Sequence, residues 1–277
     1  MTPERGPAEA PPTTPAAPHH RAHLLGLDGK PRSQLALPLA FSVPLRPDLI
    51  RRAVVAQQSH RIQPHATSPT AGVRHSVEWS GKGRGVARTP RLMDSMRGAQ
   101  APNTVSGRAA HPPSVDRIWA KKINRKERHR AFASALAATR EVKLAQARGH
   151  ALPEGLHLPI VLDDPVEQIA TSADARALLV RLKLWDDIER ARDGTHLRAS
   201  GRARRRGRVR RTPRSLLVVT SASGKALGFR NLAGVEVVPA ARLATEDLAP
   251  GGVAGRLTMY SRAAVESLRT RLGEVAP

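Results

Sequence analysis

Behind Pro47, the apolar residues Leu49, Ile50, Ala53 and Val54 recur at helical spacing and predict a helix ending near His60, since proline is well tolerated in a first helical turn. A second helix is predicted beyond Asn124. Asn124 and Glu127 there have capping-box spacing, and Phe132, Ala135, Leu136, Thr139 and Val142 continue one face up to Gly149. Further along, the short apolar runs Leu158 to Leu162, Leu216 to Val219, Val235 to Val238 and Leu257 to Tyr260 predict buried strands. Between them, Ala173 to Leu184 predicts an amphipathic helix that Asp186 to Arg192 extends or restarts. A turn or short helix is expected around Gly224 to Arg230, a short helix near Arg242, and a last helix carrying Val265, Leu268 and Leu272. Near the start, His23 to Leu27 and Ser33 to Leu37 flank the turn pair Asp28-Gly29 and predict a small hairpin. Short apolar strands alternating with helices imply an α/β fold with a mostly parallel central sheet and helices on both faces. A single α/β domain over residues 21–277 is expected, after a Pro/Ala-rich leader over residues 1–20 that is too poor in bulky apolar side chains to order itself.

Two stretches break this rhythm. Between the first two helices, residues 61–113 carry six Gly, six Pro, eight Lys or Arg and two acids. Structureless segments longer than about 12–15 residues are uncommon inside compact domains and are usually functional or disordered. This one is too basic to pack against protein, so it reads as a long extended loop that meets phosphates. The second stretch, residues 198–214, holds nine Arg among 17 residues and no acid.

Charge turns these interruptions into a functional reading. The 277 residues include 46 Lys plus Arg against 23 Asp plus Glu, a net charge of +23. Such a surplus binds a polyanion by releasing its counterions, which makes nucleic acid the leading partner class. With seven aromatic residues in the chain, an open row of stacked bases is hard to build, so binding through backbone, groove shape and electrostatics is favoured. The absence of cysteine excludes disulfides, thiolate catalysis and the common structural zinc sites. No apolar run approaches the roughly 20 residues that span a bilayer, which leads to the expectation of a soluble, intracellular protein.

Motifs that suggest other chemistry have simpler readings. Gly81-Lys82-Gly83-Arg84-Gly85 has the bare backbone of a phosphate cradle, yet no strand precedes it and no helix follows at once, so a nucleotide fingerprint is not met. Ser223-Gly224-Lys225 lacks the earlier glycine of a P-loop and reads as a helix entry. Asp163-Asp164 and Asp186-Asp187 could hold magnesium, but acids at helix starts have an ordinary electrostatic role. No histidine pair has metal-ligand spacing, and no cofactor is expected. The competing readings are a metal-dependent nucleic-acid-processing enzyme using Asp163, Asp164 or Asp186, and a free RNA-binding regulator.

A collinear series of motifs then resembles one family. Arg46 to Val54, Gly81 to Arg88, Ala110-His111-Pro112-Pro113 and Lys121-Lys122-Ile123-Asn124 are followed by Leu184 to Arg190 and Arg230-Asn231-Leu232. Asp247 to Gly252 and Gly255-Arg256-Leu257-Thr258 complete the series. Over about residues 23 to 272 the chain resembles the ribosomal protein L four family, in its archaeal form rather than the eukaryotic form with a long C-terminal extension. The resemblance implies a non-enzymatic structural protein of the large ribosomal subunit in the cytoplasm. Its implied partners are large-subunit rRNA, neighbouring ribosomal proteins and, through the long loop, the nascent polypeptide in the exit tunnel; a part in subunit assembly is also implied. The loop would span roughly Gln63 to Pro113 with its tip near Arg88 to Gly107, and Met93 and Met96 would approach the tunnel wall. The leader looks like an addition, and Leu92 to Ala101 and Ala109 depart from the family pattern.

The expected rRNA contacts in the first arm are Arg74, Lys82, Gly83, Arg84, Gly85 and Arg88, followed by Arg91, Arg97 and Arg108. Lys121 and Lys122 lie at its return to the body. In the second arm they are Arg198, Arg202, Arg204, Arg205, Arg206, Arg208, Arg210 and Arg211. No catalytic or metal-binding residue is expected.

Overall fold

The computed structural model describes residues 21–273, so the leader expected over residues 1–20 lies outside the described residues. The N-terminal hairpin forms: strand β1 (Arg21–Leu25) runs antiparallel to β2 (Pro31–Ala36). Both strands begin two residues earlier than expected because Gly26 to Gly29 make the turn. There Gly29, at φ +76°, donates its N–H to the Gly26 carbonyl at 3.0 Å. Helix α1 (Pro47–Ser59) follows with Asp48 in its first turn and Ile50, Ala53 and Val54 buried.

Beyond a ribbon of β3 (Val77–Trp79) and β4 (Pro90–Leu92) comes α2 (Arg125–Ala138). Asn124 is its N-cap by position, yet its side chain makes no capping bond, and Glu127 pairs with Arg52 at 2.9 Å instead. The capping box therefore does not form. Nor does the helix run on to Gly149. Thr139, Arg140 and Glu141 donate their N–H groups three residues back, Thr139 Oγ1 donates to the Leu136 carbonyl at 2.7 Å, and Glu141 turns to extended backbone. A separate helix, α3 (Val142–Ala147), begins there.

The rest of the chain supplies β5 (Ile160–Leu162), α4 (Ser172–Arg181) and α5 (Trp185–Asp193), then β6 (His196–Leu197), α6 (Arg202–Arg205) and β7 (Arg210–Arg211). β8 (Leu217–Thr220), β9 (Glu236–Pro239), α7 (Thr245–Leu248), β10 (Thr258–Ser261) and α8 (Arg262–Leu272) complete it. The short helix expected near Arg242 lies three residues later, because Arg242 closes a turn onto Pro239. α4 and α8 begin on side-chain caps: Thr171 accepts from the Asp174 N–H at 3.2 Å and Ser261 from the Ala264 N–H at 3.1 Å.

Six strands form one sheet in the order β2-β1-β5-β10-β8-β9, parallel except at the β1/β2 edge. Strand alternation divides the core. Val161, Leu217, Val219 and Tyr260 face α1, α2 and α8, while Ile160, Leu162, Val218 and Met259 face α4 and α5. Burial on both faces explains why these strands are continuous apolar runs.

Buried polar groups tie the strand ends together. At the carboxyl ends, where α/β folds usually bind ligands, Glu167 accepts from the Ser221 N–H and from Ser261 Oγ, each at 2.6 Å, and pairs with Lys225 at 2.5 Å. Burial pushes the Glu167 carboxyl up, but these bonds outweigh it and hold it below the usual range. At the opposite end Arg256, fully buried, donates to the Ser215 carbonyl at 3.1 Å and to Glu236 at 2.6 Å. His150 donates from Nδ1 to Asp187 at 3.0 Å and accepts the Leu257 N–H on Nε2. Among the described residues no helix is long and apolar enough to cross a membrane.

The described chain divides into two compact units. One is the body, formed by residues up to Ala56 and from Ile123 onward; the other is Gln57–Lys122.

Candidate nucleic-acid interface

The unit Gln57–Lys122 is built without a sizeable apolar core. Its antiparallel ribbon pairs Val77 with Leu92, Glu78 with Arg91 and Trp79 with Pro90, and an isolated bridge joins Arg91 to Gly98. Gln100 Nε2 donates to the carbonyls of Val73 and His75 at 3.2 and 2.7 Å, fastening the irregular segment before the ribbon to the segment after it. Two glycines allow backbones to touch. A Cβ on Gly72 would lie 2.5 Å from the Arg108 nitrogen, and one on Gly107 would lie 2.0 Å from the Ala101 oxygen. The segment read as an extended loop lies mostly outside helix and strand, and it forms a strap held by main-chain bonds and close glycine contacts, neither of which leaves a hydrophobic period. Its return is pinned where Ser59 Oγ accepts the Lys121 N–H at 2.8 Å.

The turn between β3 and β4 carries the phosphate-cradle motif. Gly81, Gly83 and Gly85 have φ of +68°, +81° and +66°, and no atom lies within 4 Å of where their Cβ atoms would be. Conformation requires glycine here and crowding does not, so the turn's main chain is bare to an approaching anion. Lys82, Arg84 and Arg88 project from the same turn, all exposed, and Arg97 is exposed on the next reversal of the chain. Arg74 donates to Thr70 at 2.9 Å and Arg108 reaches the Ala109 carbonyl, both remaining exposed. Arg91 differs: half-buried, it donates to the carbonyls of Met96 at 2.8 Å and Ala87 at 3.3 Å and braces the ribbon. Lys121 and Lys122 present exposed side chains at the end of the unit. Met93 and Met96 are 69% and 52% exposed.

The Arg-rich run is a second, smaller hairpin. His196 and Leu197 pair antiparallel with Arg211 and Arg210, and the single turn of α6 sits between Gly201 at φ +91° and Gly207 at φ +76°. Arg204 donates to the carbonyls of Arg198 and Ala199 at 3.0 and 2.9 Å, and Arg198 is half-buried. Arg202, Arg205, Arg206, Arg208, Arg210 and Arg211 are exposed with no carboxylate within 4 Å among the described residues. Arg214 belongs to the body, forming an ion pair with Glu236 at the hairpin's foot.

A third cationic surface escaped sequence reasoning. Arg125, Lys126 and Arg130, on the first turns of α2, join Arg46 around a cleft of about 470 Å³ that Leu49, Asn124 and Glu127 also line. The signal was five basic residues, His129 included, in Arg125 to Arg130, but helical periodicity drew attention to the buried face.

Three of the four acids weighed as metal ligands, Asp163, Asp164 and Asp187, have partners within the protein. Asp163 caps the turn Asp164–Gln168 by accepting the Asp164 N–H and pairs with Arg32 at 3.1 Å, while Asp164 accepts the Ala263 N–H at 2.9 Å. Asp186 and Asp187 begin α5. Burial raises the Asp187 carboxyl, but bonds from His150 and Arg190 prevail and hold it below the ordinary range. No cluster of three or more His, Asp or Glu fit for a metal occurs among the described residues. Lys225 of the P-loop-like triplet pairs with Glu167 ahead of the short helical turn Leu227–Phe229, in keeping with a helix entry.

Comparison with known proteins agrees with the motif series. The chain is 43% identical to large ribosomal subunit protein uL4 of Methanosphaera stadtmanae over 249 residues, covering 90% of this chain and 96% of that protein. It is 45% identical to the uL4 of Methanoculleus marisnigri over 249 residues, with coverage of 90% and 98%. For the uL4 of Pyrobaculum aerophilum the identity is 43% over 259 residues, with coverage of 92% and 91%. Residues 35–271 match the family described as Ribosomal protein L4/L1, and with the strap, the arginine hairpin and most of the α/β body inside that span, the chain belongs to this family.

Proposed function

We propose that this chain is a structural, non-enzymatic constituent of the large ribosomal subunit that binds rRNA through the strap and the arginine hairpin. The observation that carries this reading is the set of unspent guanidiniums: six arginines of one short hairpin face solvent with no carboxylate within 4 Å among the described residues. Solvent-exposed like charges at this density repel one another, and phosphates relieve the repulsion while their counterions are released. Shape and 2′-hydroxyl contacts of folded RNA supply specificity, and arginine forks fit phosphate in pairs of hydrogen bonds. The strap, bare at its glycine turn and exposing Met93 and Met96, is suited to threading between RNA helices and lining part of the polypeptide exit tunnel, where its further partner is the nascent chain. The arms also help the RNA assemble, and neighbouring ribosomal proteins meet the remaining surface.

Sedimentation of ribosomal particles through high salt tests the reading. The chain stays with the large subunit in stoichiometric amount; release with loosely bound factors, or a pool sedimenting away from particles, contradicts it.

A further inference from the structure

All seven aromatic side chains lie among the described residues, and six of them are accounted for. Phe41, Phe132, Phe229 and Tyr260 are buried in the body. Trp119 stacks on His65 with centroids 5.2 Å apart and carries the Arg117 guanidinium 4.3 Å from its ring. Trp185 has Arg176 at 4.8 Å from its ring and donates its indole N–H to Glu189 at 2.7 Å. Trp79 is the exception. It is 67% exposed, and among the described residues no ring or cation rests on it.

Its place in the strap is equally specific. In the ribbon Val77 and Trp79 share one face with Leu92 and Pro90 opposite, while Glu78 and Arg91 occupy the other. Pro90 is buried and Val77 and Leu92 are half-covered, so the apolar face ends in an open indole at the mouth of the turn. Two residues on, Gly81 begins the bare turn from which Lys82, Arg84 and Arg88 project. A flat apolar ring beside an anion-seeking main chain and three free cations has the complementarity of a nucleotide, with π-face, sugar and phosphate.

We propose that Trp79 is a stacking platform for one unpaired nucleobase of rRNA, with the flanking phosphates held by the Gly81 to Arg88 turn. This rests on the rRNA-binding reading and adds to it a base contact, which electrostatics alone does not supply. A single platform also accommodates the scarcity of aromatics in the chain. A protein partner or the nascent chain would cover the indole equally well as apolar surface, but neither calls for the cationic turn beside it.

The full chain is titrated against an in vitro transcript of archaeal large-subunit rRNA across a salt series, alongside Trp79→Phe, Trp79→Leu and Trp79→Ala. Because the side chain is exposed, all four melt at the same temperature. Trp79→Ala and Trp79→Leu bind about 10- to 100-fold more weakly with the salt slope unchanged, and Trp79→Phe stays within about threefold of wild type. If Trp79→Leu binds as wild type does, stacking is refuted while rRNA binding stands, and apolar cover by protein takes its place. If the wild-type chain shows no salt-dependent binding, the parent reading falls and this one with it.

Discussion

Replacing the six exposed arginines of the second hairpin, Arg202, Arg205, Arg206, Arg208, Arg210 and Arg211, with alanine removes charge that the protein spends on nothing internal. Arg198 and Arg204 stay, being half-buried and bound to backbone carbonyls respectively. Each cation that neutralises a phosphate contributes about 0.7–0.9 to the dependence of log affinity on log salt, so six contribute about 4–5. Between about 50 and 200 mM salt, a slope difference of that size is roughly a 300- to 1000-fold difference in how affinity falls. Stability moves little, by about 0.5 kcal/mol or less per substitution, because exposed substitutions away from structural features are nearly neutral. Filter binding to an rRNA transcript over a potassium chloride series reads the slope, and a thermal melt reads the fold. A slope that changes by less than about one, or a melt that collapses, refutes the assignment of these guanidiniums to phosphate.

Other expectations follow from the body and the strap. Glu236→Ala leaves Arg256 buried without its carboxylate and destabilises the body by about 2–4 kcal/mol, whereas Arg256→Met costs less; equal losses in denaturant melts contradict this. Glu167 is held below its ordinary value, so the stability it adds is present above about pH 4.3 and is lost as pH falls through the depressed folded value. The stability gap between wild type and Glu167→Gln closes on acidification, and a gap constant from pH 7 to 3 rules the linkage out. Excising Gly83 to Gly107 leaves a cooperative melt of the body, since that segment lies wholly in the second unit; a lost transition shows that the strap supports the fold. Alanine at Gly81, Gly83 and Gly85 strains the turn by about 1–2 kcal/mol per residue without touching the body and weakens rRNA binding; unchanged affinity counts against the bare turn as a contact.

What the sequence revealed and what it concealed have separate physical causes. The hairpin, α1 and the parallel strands were legible because turn glycine, first-turn proline and doubly buried apolar runs are local signatures of their elements. The end of α2 was not. Thr139 has the apolar spacing of a continuing helix, but its hydroxyl binds back to Leu136 and meets Tyr260 at 3.1 Å, a tertiary contact that no periodicity announces. Glu127 likewise has capping spacing and spends its charge on Arg52, far away in sequence. The internal structure of the strap was hidden because glycine contacts and carbonyl hooks have no apolar pattern, and the second arm's hairpin because its strands are two residues long and mostly arginine or histidine. Candidate phosphate contacts were readable from charge. Their division into free cations and braces such as Arg91 and Arg204 depends on geometry.

In the proposed function both arms lie against ribosomal RNA. A photocrosslinking amino acid placed at Arg84 and, separately, at Arg205 in the chain assembled into intact large subunits tests it directly. Both positions crosslink to large-subunit rRNA at discrete sites; crosslinks confined to proteins, or none at either position, contradict it.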